Sequence, residues 1–356
     1  MTAAPQERKP AVSVIVPARN EEACLGACLE SLAGQQGVDF EIVVVDDGSS
    51  DRTRAIAQSF SGVQVLEADP LPAGWGGKSN ALVTGARQAR GEWLLFTDAD
   101  TVHLPGSLAR SLAEVQQHAA ALLSYSPAQE VRGFWEQAVM PLVFYELART
   151  YPPAKVNDPA SPVAAANGQY LLVERRAYDA VGGHAAVAQT LLEDMALAKA
   201  FKRAGYRLRF RFGGDAVRTR MYRSFRQMYE GWTKNLALLF PAVRLAVWYG
   251  LEFLGIAAGL ALAGWAGFHG QTKLAALAAA AASMGWLNLL RRVRKAHFGW
   301  GTSLAAVAGL PVFALLLLRS ALYTRWRGKV VWKGRTYASR PDSPRDGKLP
   351  QAAPGA

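Results

Sequence analysis

Residues 93–104 read WLLFTDADTVHL, an apolar run that ends on two carboxylates, Asp98 and Asp100, with one alanine between them. Two earlier apolar runs also end in polar clusters, PARNEE at 17–22 and DDGSSD at 46–51. Helical patterns separate the runs, and strands that alternate with helices predict an α/β fold with a mostly parallel sheet. Ligands of such sheets bind beyond the carboxyl ends of the strands, so the three clusters are expected to line one pocket.

The carboxylate pair predicts a metal site. Side chains two residues apart on a strand point the same way, so Asp98 and Asp100 are expected to repel each other and share a cation. Mg²⁺ or Mn²⁺ takes oxygen ligands and keeps positions open for phosphate oxygens, which would offset the charge of a departing diphosphate. The alternative interpretation is a pair of solvated loop acids.

Two further loops are suited to binding a nucleotide. A carboxylate of the 46–51 cluster can accept a hydrogen bond from a base or a ribose, while Ser50 or Asp51 can instead cap the next helix. The loop GWGGKSN at 74–80 opens a helix and carries Lys78, which can reach a phosphate. Its spacing differs from a Walker loop, and no G-x-G-x-x-G follows the first run, which disfavours a dinucleotide oxidoreductase.

The C-terminal third has the composition of a membrane segment. Hydrophobic residues make up 51% of the chain, and residues 245–290 carry only Glu252 and Lys273 as formally charged side chains. A third apolar run covers residues 304–318. Nearly all of the net charge of +12 lies from residue 291 onward, as expected beside anionic lipid headgroups. Because the basic residues flank apolar runs, we expect no nucleic-acid partner.

These patterns predict a catalytic domain over 1–235, membrane-embedded helices over 236–325 and a basic cytoplasmic tail over 326–356 with a disordered end. The N-terminus lacks the apolar core of a signal peptide, so we expect a multi-pass protein of the inner (cytoplasmic) membrane with its catalytic domain in the cytoplasm. The number of crossings stays open, since Leu236–Leu251 could add a span and Pro311 could mark a re-entrant piece. The stretch Val131–Thr150 fits either a core helix or a helix on the bilayer surface.

Six stretches resemble, in chain order, the family-2 glycosyltransferases of the GT-A fold: VSVIVPARNEE, VVVDDGSSDRT, GGKSNAL, FTDADT, ANGQYLLVERRAYDAVGGH and LEDMALAKAFKRAG. The resemblance covers about Val12 to Gly205. It implies a Rossmann-like catalytic domain and an inverting transfer from a nucleotide-sugar, usually a UDP-sugar. A looser likeness, in Gly74–Leu82, FTDADTVHLP and the tail Trp332–Tyr337, is to bacterial members that glycosylate lipids such as carotenoids or hopanoids.

The resemblance also implies roles for particular residues. Those expected to bind the nucleotide-sugar are Pro17, Arg19, Glu21, Asp46, Asp47, Lys78 and Asp98. Asp98 and Asp100 would hold Mn²⁺ or Mg²⁺, and Asp194 of the pair Glu193–Asp194 would be the general base, with helix capping as the alternative. Residues that could contact the acceptor are Asn167, Gly168, His184 and Trp232. For His103 a structural hydrogen bond is favoured over a place at the metal.

One departure bears on the product. Processive members carry Q-x-x-R-W on the helix that approaches the membrane, whereas Met228–Trp232 keeps only the tryptophan. We therefore expect transfer of a single sugar to a hydroxyl of a membrane lipid. The alternatives are a processive polysaccharide or glycan synthase, a nucleotidyltransferase, and a catalytically inactive membrane scaffold of the same fold. The sequence identifies neither the sugar nor the oligomeric state.

Overall fold

A computed structural model describes residues 9–327, 329–332 and 335–338. The strands are β1 (Val12–Ala18), β2 (Phe40–Asp46), β3 (Val63–Glu67), β4 (Trp93–Phe96), β5 (Thr101–His103), β6 (Leu122–Ser126), β7 (Ala128–Gln129), β8 (Leu171–Glu174), β9 (Leu208–Phe212), β10 (Val217–Thr219), β11 (Lys329–Trp332) and β12 (Arg335–Ala338). The helices are α1 (Leu25–Ala33), α2 (Thr53–Gln58), α3 (Gly77–Gln88), α4 (Ser107–His118), α5 (Phe134–Thr150), α6 (Pro153–Asn157), α7 (Arg175–Ala180), α8 (Glu193–Arg203), α9 (Phe225–Leu239), α10 (Ala242–Phe268), α11 (Thr272–Val293) and α12 (Trp300–Leu322).

The main sheet has the order β3-β2-β1-β4-β8-β6-β9. Strand β1 runs parallel to β2 and β4, and β8 is antiparallel to both of its neighbours. Val14 and Val16 belong to the apolar cluster on one face of the sheet and Ile15 to the cluster on the other, so the sheet is covered on both sides. The predicted mixed, mostly parallel α/β architecture is confirmed.

A second sheet has the order β5-β10-β7 and lies beside the turn that carries the two aspartates. Strand β10 is antiparallel to β5, with Thr219 opposite Thr101 and Arg218 opposite Val102. The Thr219 hydroxyl donates a hydrogen bond to the Asp100 carbonyl oxygen at 3.2 Å. This small sheet therefore brings the segment around residue 220 next to the end of β4.

Helix α5 is a core helix, which decides between the two interpretations of Val131–Thr150. Its residues from Ala138 to Phe144 are buried, whereas Phe134 and Trp135 in its first turn are exposed. It packs against α12 so closely that a Cβ at Gly309 would overlap the carbonyl group of Ala138. Since α12 belongs to the apolar C-terminal part, α5 joins that part to the sheet domain.

Within the described residues, three helices are long and apolar enough to cross a membrane, over Ala242–Phe268, Thr272–Ala296 and Trp300–Arg325. In the first two of these helices, 22% and 17% of the apolar 18-residue window is buried inside the protein, whereas in the third helix 44% is buried. The segment Leu236–Leu251 adds no further span, because it is divided between the end of α9 and the start of α10. Pro311 lies inside α12, which runs unbroken.

Contacts near both ends of α12 join it to other elements. Just before it starts, the His297 ring stacks on Phe212 of β9 with 4.1 Å between ring centroids. Near its end, the Ser320 hydroxyl oxygen accepts a hydrogen bond from the backbone N–H of Ala237 in α9 at 2.8 Å. These two contacts connect α12, which is about 34 Å long, to β9 of the main sheet and to α9.

The predicted domain limits stay a prediction, and position 235 lies inside α9. Strands β11 and β12 pair in antiparallel orientation and include Trp332 and residues 335–337 of the tail motif. Residues 339–356, for which the sequence predicts a disordered end of the tail, lie outside the described residues.

Candidate active site

The first two polar clusters meet because β1 and β2 are parallel neighbours whose carboxyl ends lie side by side. Pro17 is in register with Val45, and the Asp47 backbone N–H donates to the Ala18 carbonyl oxygen at 2.9 Å. The Arg19 Nη1 donates to the Asp47 carbonyl oxygen at 2.9 Å and lies 3.6 Å from its carboxylate. Buried Asp46 and Asp47 therefore form one wall with Arg19, as predicted for the end of the sheet.

Other polar groups of these loops hold the backbone. The Asp46 Oδ1 accepts a hydrogen bond from the Ser49 N–H at 3.1 Å, across a turn in which Gly48 has a φ of +69°. The Asp51 carboxylate accepts a hydrogen bond from the N–H of Thr53, the first residue of α2, at 3.0 Å. The Glu21 N–H donates to the Thr53 hydroxyl at 2.7 Å, which ties the two loops together.

Lys78, in the first turn of α3, is the hub of a charged cluster. Its Nζ lies 2.7 Å from Asp98 Oδ1 and 3.2 Å from Glu193 Oε1. Burial works to lower the pKa of Lys78, but the two carboxylates outweigh it and the pKa is raised above its ordinary value. Lys78 is therefore a permanent positive charge between the end of β4 and the start of α8.

Asp194 is the carboxylate of this cluster that is best suited to accept a proton. Its Oδ2 accepts a hydrogen bond from the Gly168 N–H at 2.9 Å and its Oδ1 from the Met195 N–H at 2.7 Å. Burial and the neighbouring charge of Glu193 raise the pKa of Asp194 to about 6, against the opposing effect of Lys78. A base with a pKa near the working pH is the most effective in catalysis.

Asp98 and Asp100 do not share one environment, contrary to the expectation of parallel side chains. Strand β4 ends at Phe96, and the Thr101 hydroxyl donates to the Asp98 carbonyl oxygen at 2.7 Å across a turn. Asp98 contacts Lys78, whereas Asp100 lines a cavity of about 180 Å³ with residues of β5 and β10. The two-residue period of a strand does not extend into a turn, which explains the difference.

The turn that carries Asp98 and Asp100 can supply some of the ligands of a hard divalent cation. In the described part of the chain, no three His, Cys, Asp or Glu side chains group as metal ligands. Asp98 and Asp100 offer carboxylate oxygens, which suit Mg²⁺ or Mn²⁺ when phosphate oxygens and water complete the coordination shell. Because the Lys78 ammonium already binds Asp98 Oδ1, the Asp100 carboxylate is the better placed of the two.

Two of the predicted acceptor residues lie at the cluster. A Cβ at Gly168 would stand 3.2 Å from Lys78 Nζ and 3.6 Å from Asp194 Oδ2. The neighbouring Asn167 is half-buried, and its Oδ1 accepts a hydrogen bond from the Gln169 N–H at 2.9 Å. The loop before β8 therefore borders the proposed base directly.

The two other acceptor candidates are corrected by the structure. The His184 side chain is 1% exposed, and its Nδ1 lies 3.1 Å from the Tyr178 hydroxyl. Burial lowers the pKa of His184 to about 4, so the ring is neutral. Trp232 is 3% exposed, and its Nε1 donates to the Met140 sulfur at 3.4 Å. Both side chains belong to the core, because their polar atoms find partners there.

His103 has the structural role that was predicted for it. Its ring is buried, with Nε2 at 3.1 Å from the Thr97 hydroxyl.

Sequence reasoning missed Lys234 and the arginines that precede α9. Lys234 lies close enough to Glu193 that its charge, with that of Lys78, outweighs burial and lowers the pKa of Glu193. The signals were a single lysine before the apolar end of α9, and three arginines within residues 218–223. The structure also explains the departure from Q-x-x-R-W, since a Cβ at Gly231 already overlaps the Tyr222 ring.

The comparisons with known proteins agree with this geometry. The model of "Glycosyl transferase family 2" matches residues 13–182, which contain the first three polar clusters, Lys78 and the Asn167–Gly168 loop. The chain carries a family-2 glycosyltransferase domain. Asp194, Lys234 and the arginines before α9 follow the matched segment of this domain.

Among the relatives are proteins of Staphylococcus aureus strains MRSA252 and USA300 named 4,4'-diaponeurosporenoate glycosyltransferase. Each is 31% identical over 235 residues, which is 64% of this chain and 61% of the relative. A mannosyltransferase from Pyrobaculum calidifontis, solved with GDP-Man and Mn²⁺, matches 90% of this chain and 88% of its own at a TM-score of 0.51. Its sequence identity is 19%, so this likeness shows the fold alone.

Proposed function

We propose that this family-2 glycosyltransferase transfers one sugar, with inversion, from a UDP-sugar to a hydroxyl group of a membrane lipid. The observation that carries the proposal is the position of Asp194. Its carboxylate has a pKa of about 6 and lies close to Lys78, which contacts Asp98, at the sheet edge where the nucleotide is expected. The nucleotide would bind against Arg19, Asp46 and Asp47.

Inversion needs a single displacement, in which one carboxylate acts as base. Asp194 would take the proton of the acceptor hydroxyl while the hydroxyl oxygen forms a bond to the anomeric carbon of the sugar. The bond from that carbon to the diphosphate oxygen breaks, and the electron pair leaves with the diphosphate. Lys78 helps to lower the pKa of Glu193, and its charge opposes the rise that burial produces in the pKa values of Asp98 and Asp194.

Asp100 and Asp98 would hold a divalent ion, which supplies Lewis-acid neutralisation of the leaving diphosphate when it is bound. The donor set of the turn supports this assignment, and so does the Mn²⁺ bound to the Pyrobaculum mannosyltransferase of the same fold. The structure gives no ground for choosing Mg²⁺ or Mn²⁺.

The acceptor is proposed from the relatives and the apolar helices together. The curated relatives are named for 4,4'-diaponeurosporenoate, which supports a lipid-like acceptor of the carotenoid type. A processive synthase is disfavoured, because Tyr222 leaves no room for an arginine at position 231. An inactive scaffold has no need of a base whose pKa lies near neutrality.

We infer two membrane crossings, by α10 and α11, with the sheet domain and the tail both in the cytoplasm. The contact of His297, just before α12, with β9 and the contact of Ser320, near the end of α12, with α9 support a position of α12 along the membrane surface. Its outward face is apolar, with Trp300, Leu315 and Leu322 exposed. Two crossings put both basic segments, around Arg292 and after Arg319, on the cytoplasmic side as the positive-inside rule requires.

The function is tested by incubating the full-length protein, in native bacterial membranes, with a panel of UDP- and GDP-sugars. Mass spectrometry of the extracted lipids should show one added hexose with one donor and release of the nucleoside diphosphate. The Asp194→Asn protein is the control and should give no product. A polymeric product would indicate the synthase, and pyrophosphate release a nucleotidyltransferase.

The membrane orientation is tested with reporters fused at the C-terminus and inserted between α10 and α11. Green fluorescent protein should fluoresce at the C-terminus, and alkaline phosphatase should be active in the α10–α11 connection. An active phosphatase at the C-terminus would mean that α12 crosses the membrane.

A further inference from the structure

The cavity beside Asp100 is rich in arginine, and the mechanism proposed above does not use it. Its charged lining consists of Arg132, Arg218, Arg220, Arg223, Asp100 and Glu130. Four arginines and two acidic residues thus line a cavity of about 180 Å³. This excess of positive charge favours an anion, and guanidinium groups are the side chains that match the oxygens of phosphate and carboxylate best.

Strand register explains why the arginines meet the acidic turn. In the antiparallel pair β5–β10, Thr219 is opposite Thr101 and Arg218 is opposite Val102. The next residue, Arg220, is therefore level with Asp100. Strand β7 is parallel to β10 on its other side, and the Glu130 N–H donates to the Thr219 carbonyl oxygen at 2.8 Å. The small sheet thus fixes the position of the Arg220 backbone relative to Asp100.

The Arg220 side chain is mostly buried, and one of its hydrogen-bond donors has no acceptor among the described residues. Its side chain is 22% exposed, and its Nη2 lies 3.8 Å from the Glu136 carboxylate. Its buried Nε has no hydrogen-bond acceptor among the described residues. A buried donor without an acceptor is costly, so a ligand that supplies one would be stabilised there.

Two further features of the cavity favour the binding of an anion. Arg223 Nη2 donates to the Ala23 carbonyl oxygen at 3.3 Å, which joins the segment before α9 to the loop before α1. Cys24 and Ala27, at the start of α1, also line the cavity. The positive end of the nine-residue helix α1 therefore adds to the charge of the arginines.

We propose that this cavity holds the diphosphate of the nucleotide-sugar donor, with Arg220 and Arg223 as its principal ligands. The assignment rests on the proposed function and deepens it. Donors fixed by the protein stabilise charge that develops on a leaving group without reorganising during the reaction. The arginines would therefore share with Asp100 and its ion the task of receiving the departing UDP. The same arginines would also bind a carboxylate or phosphate of the lipid acceptor. The experiment distinguishes such an acceptor group from the diphosphate of the donor.

The test measures binding of inorganic pyrophosphate by calorimetry to the full-length protein in nanodiscs, in EDTA so that arginine charge acts alone. Arg223→Gln should weaken binding by about tenfold, as expected for loss of one charge-assisted hydrogen bond. Arg220→Lys keeps the charge but loses the fork of donors, and should also weaken binding. Arg226→Gln is the matched control, because Arg226 is 87% exposed and pairs with Glu230 away from the cavity.

UDP and uridine complete the test. The Arg223→Gln protein should bind UDP about tenfold more weakly and uridine as the unaltered protein does. Pyrophosphate binding that is absent from the unaltered protein, or insensitive to both arginine variants, would overturn the proposal. So would variants that raise the KM for the lipid acceptor and leave UDP binding unchanged. Arginine-dependent pyrophosphate binding without any sugar transfer would reject the proposed function but keep the site.

Discussion

Asp98 and Asp100 are two residues apart and have opposite electrostatic surroundings. Asp98 is held by Lys78 in a group that includes Glu193 and Asp194, whereas Asp100 borders a cavity with four arginines. The turn after β4 thus divides the site into an acidic side and a basic side. The division matches the two needs of sugar transfer, since a proton must be taken from the acceptor and negative charge must be accepted from the leaving group.

The largest effect is expected on the acidic side, from Asp194→Asn. The amide keeps the size of the side chain but cannot take a proton, so kcat should fall by about 10³-fold. The Kd for UDP should stay within about twofold, because the nucleotide is placed on the other elements of the site. Calorimetry and a product assay on the same preparation provide the two values. Turnover near that of the unaltered protein would remove Asp194 from the role of base.

A comparison of Asp100→Asn with Asp98→Asn tests the division itself. Asp100→Asn should remove most of the gain in UDP affinity that Mn²⁺ provides, about tenfold, because this carboxylate borders the cavity. Asp98→Asn should retain part of that gain, since Lys78 already binds its Oδ1. The measurement is a Mn²⁺ titration of UDP binding for each variant. Equal losses in both variants would mean that the two carboxylates contribute equally to holding the ion, which would contradict the division.

The pH dependence tests the link between Lys78 and Asp194. The base must be ionised, so kcat/KM should fall as the pH drops through about 6, the pKa of Asp194. Lys78 lowers that pKa, so Lys78→Gln should move the acid limb to higher pH and reduce activity more at pH 6 than at pH 8. A limb that stays in place or moves to lower pH would contradict this coupling.

The smallest expected effect is that of Gly168→Ala. The added methyl group would stand 3.2 Å from Lys78 Nζ, and the lysine can move by a few tenths of an ångström to accept it. We expect a loss of about threefold to tenfold in kcat/KM, with little change in thermal stability. Gly34→Ala is the control, since its methyl group would meet ordinary contacts at 3.5 Å and beyond. A loss in kcat/KM as large as that of Asp194→Asn would show that the loop before β8 has a larger role than positioning.

Much of the fold and part of the site could be predicted from the sequence. The runs at Val12, Glu41 and Trp93 became parallel neighbours, because buried β-branched strands separated by helices have few other arrangements. The contacts of Arg19 with Asp47 and of Lys78 with Asp98 follow from that order. Strand β8 starts only at Leu171, because the Tyr170 N–H donates to the Asn167 carbonyl oxygen in a turn that local sequence patterns do not reveal.

The rest of the site depends on contacts between distant parts of the chain. Nothing local to Trp232 or His184 shows that each is enclosed by residues of another element, Met140 and Phe96 respectively. The arginine cavity requires β10 to pair with β5, more than 100 residues earlier in the chain. The position of α12 depends likewise on Gly309 against Ala138, a tertiary contact that hydropathy does not encode.

The decisive measurement is a cryo-electron microscopy structure of the full-length Asp194→Asn protein in nanodiscs with Mn²⁺ and the UDP-sugar that supports transfer. We expect the uracil against Asp46 and Asp47, the diphosphate between Asp100 and Arg220, and the anomeric carbon facing position 194. Density for the nucleotide away from these strand ends, or for the diphosphate on the Lys78 side with the arginine cavity empty, would contradict it.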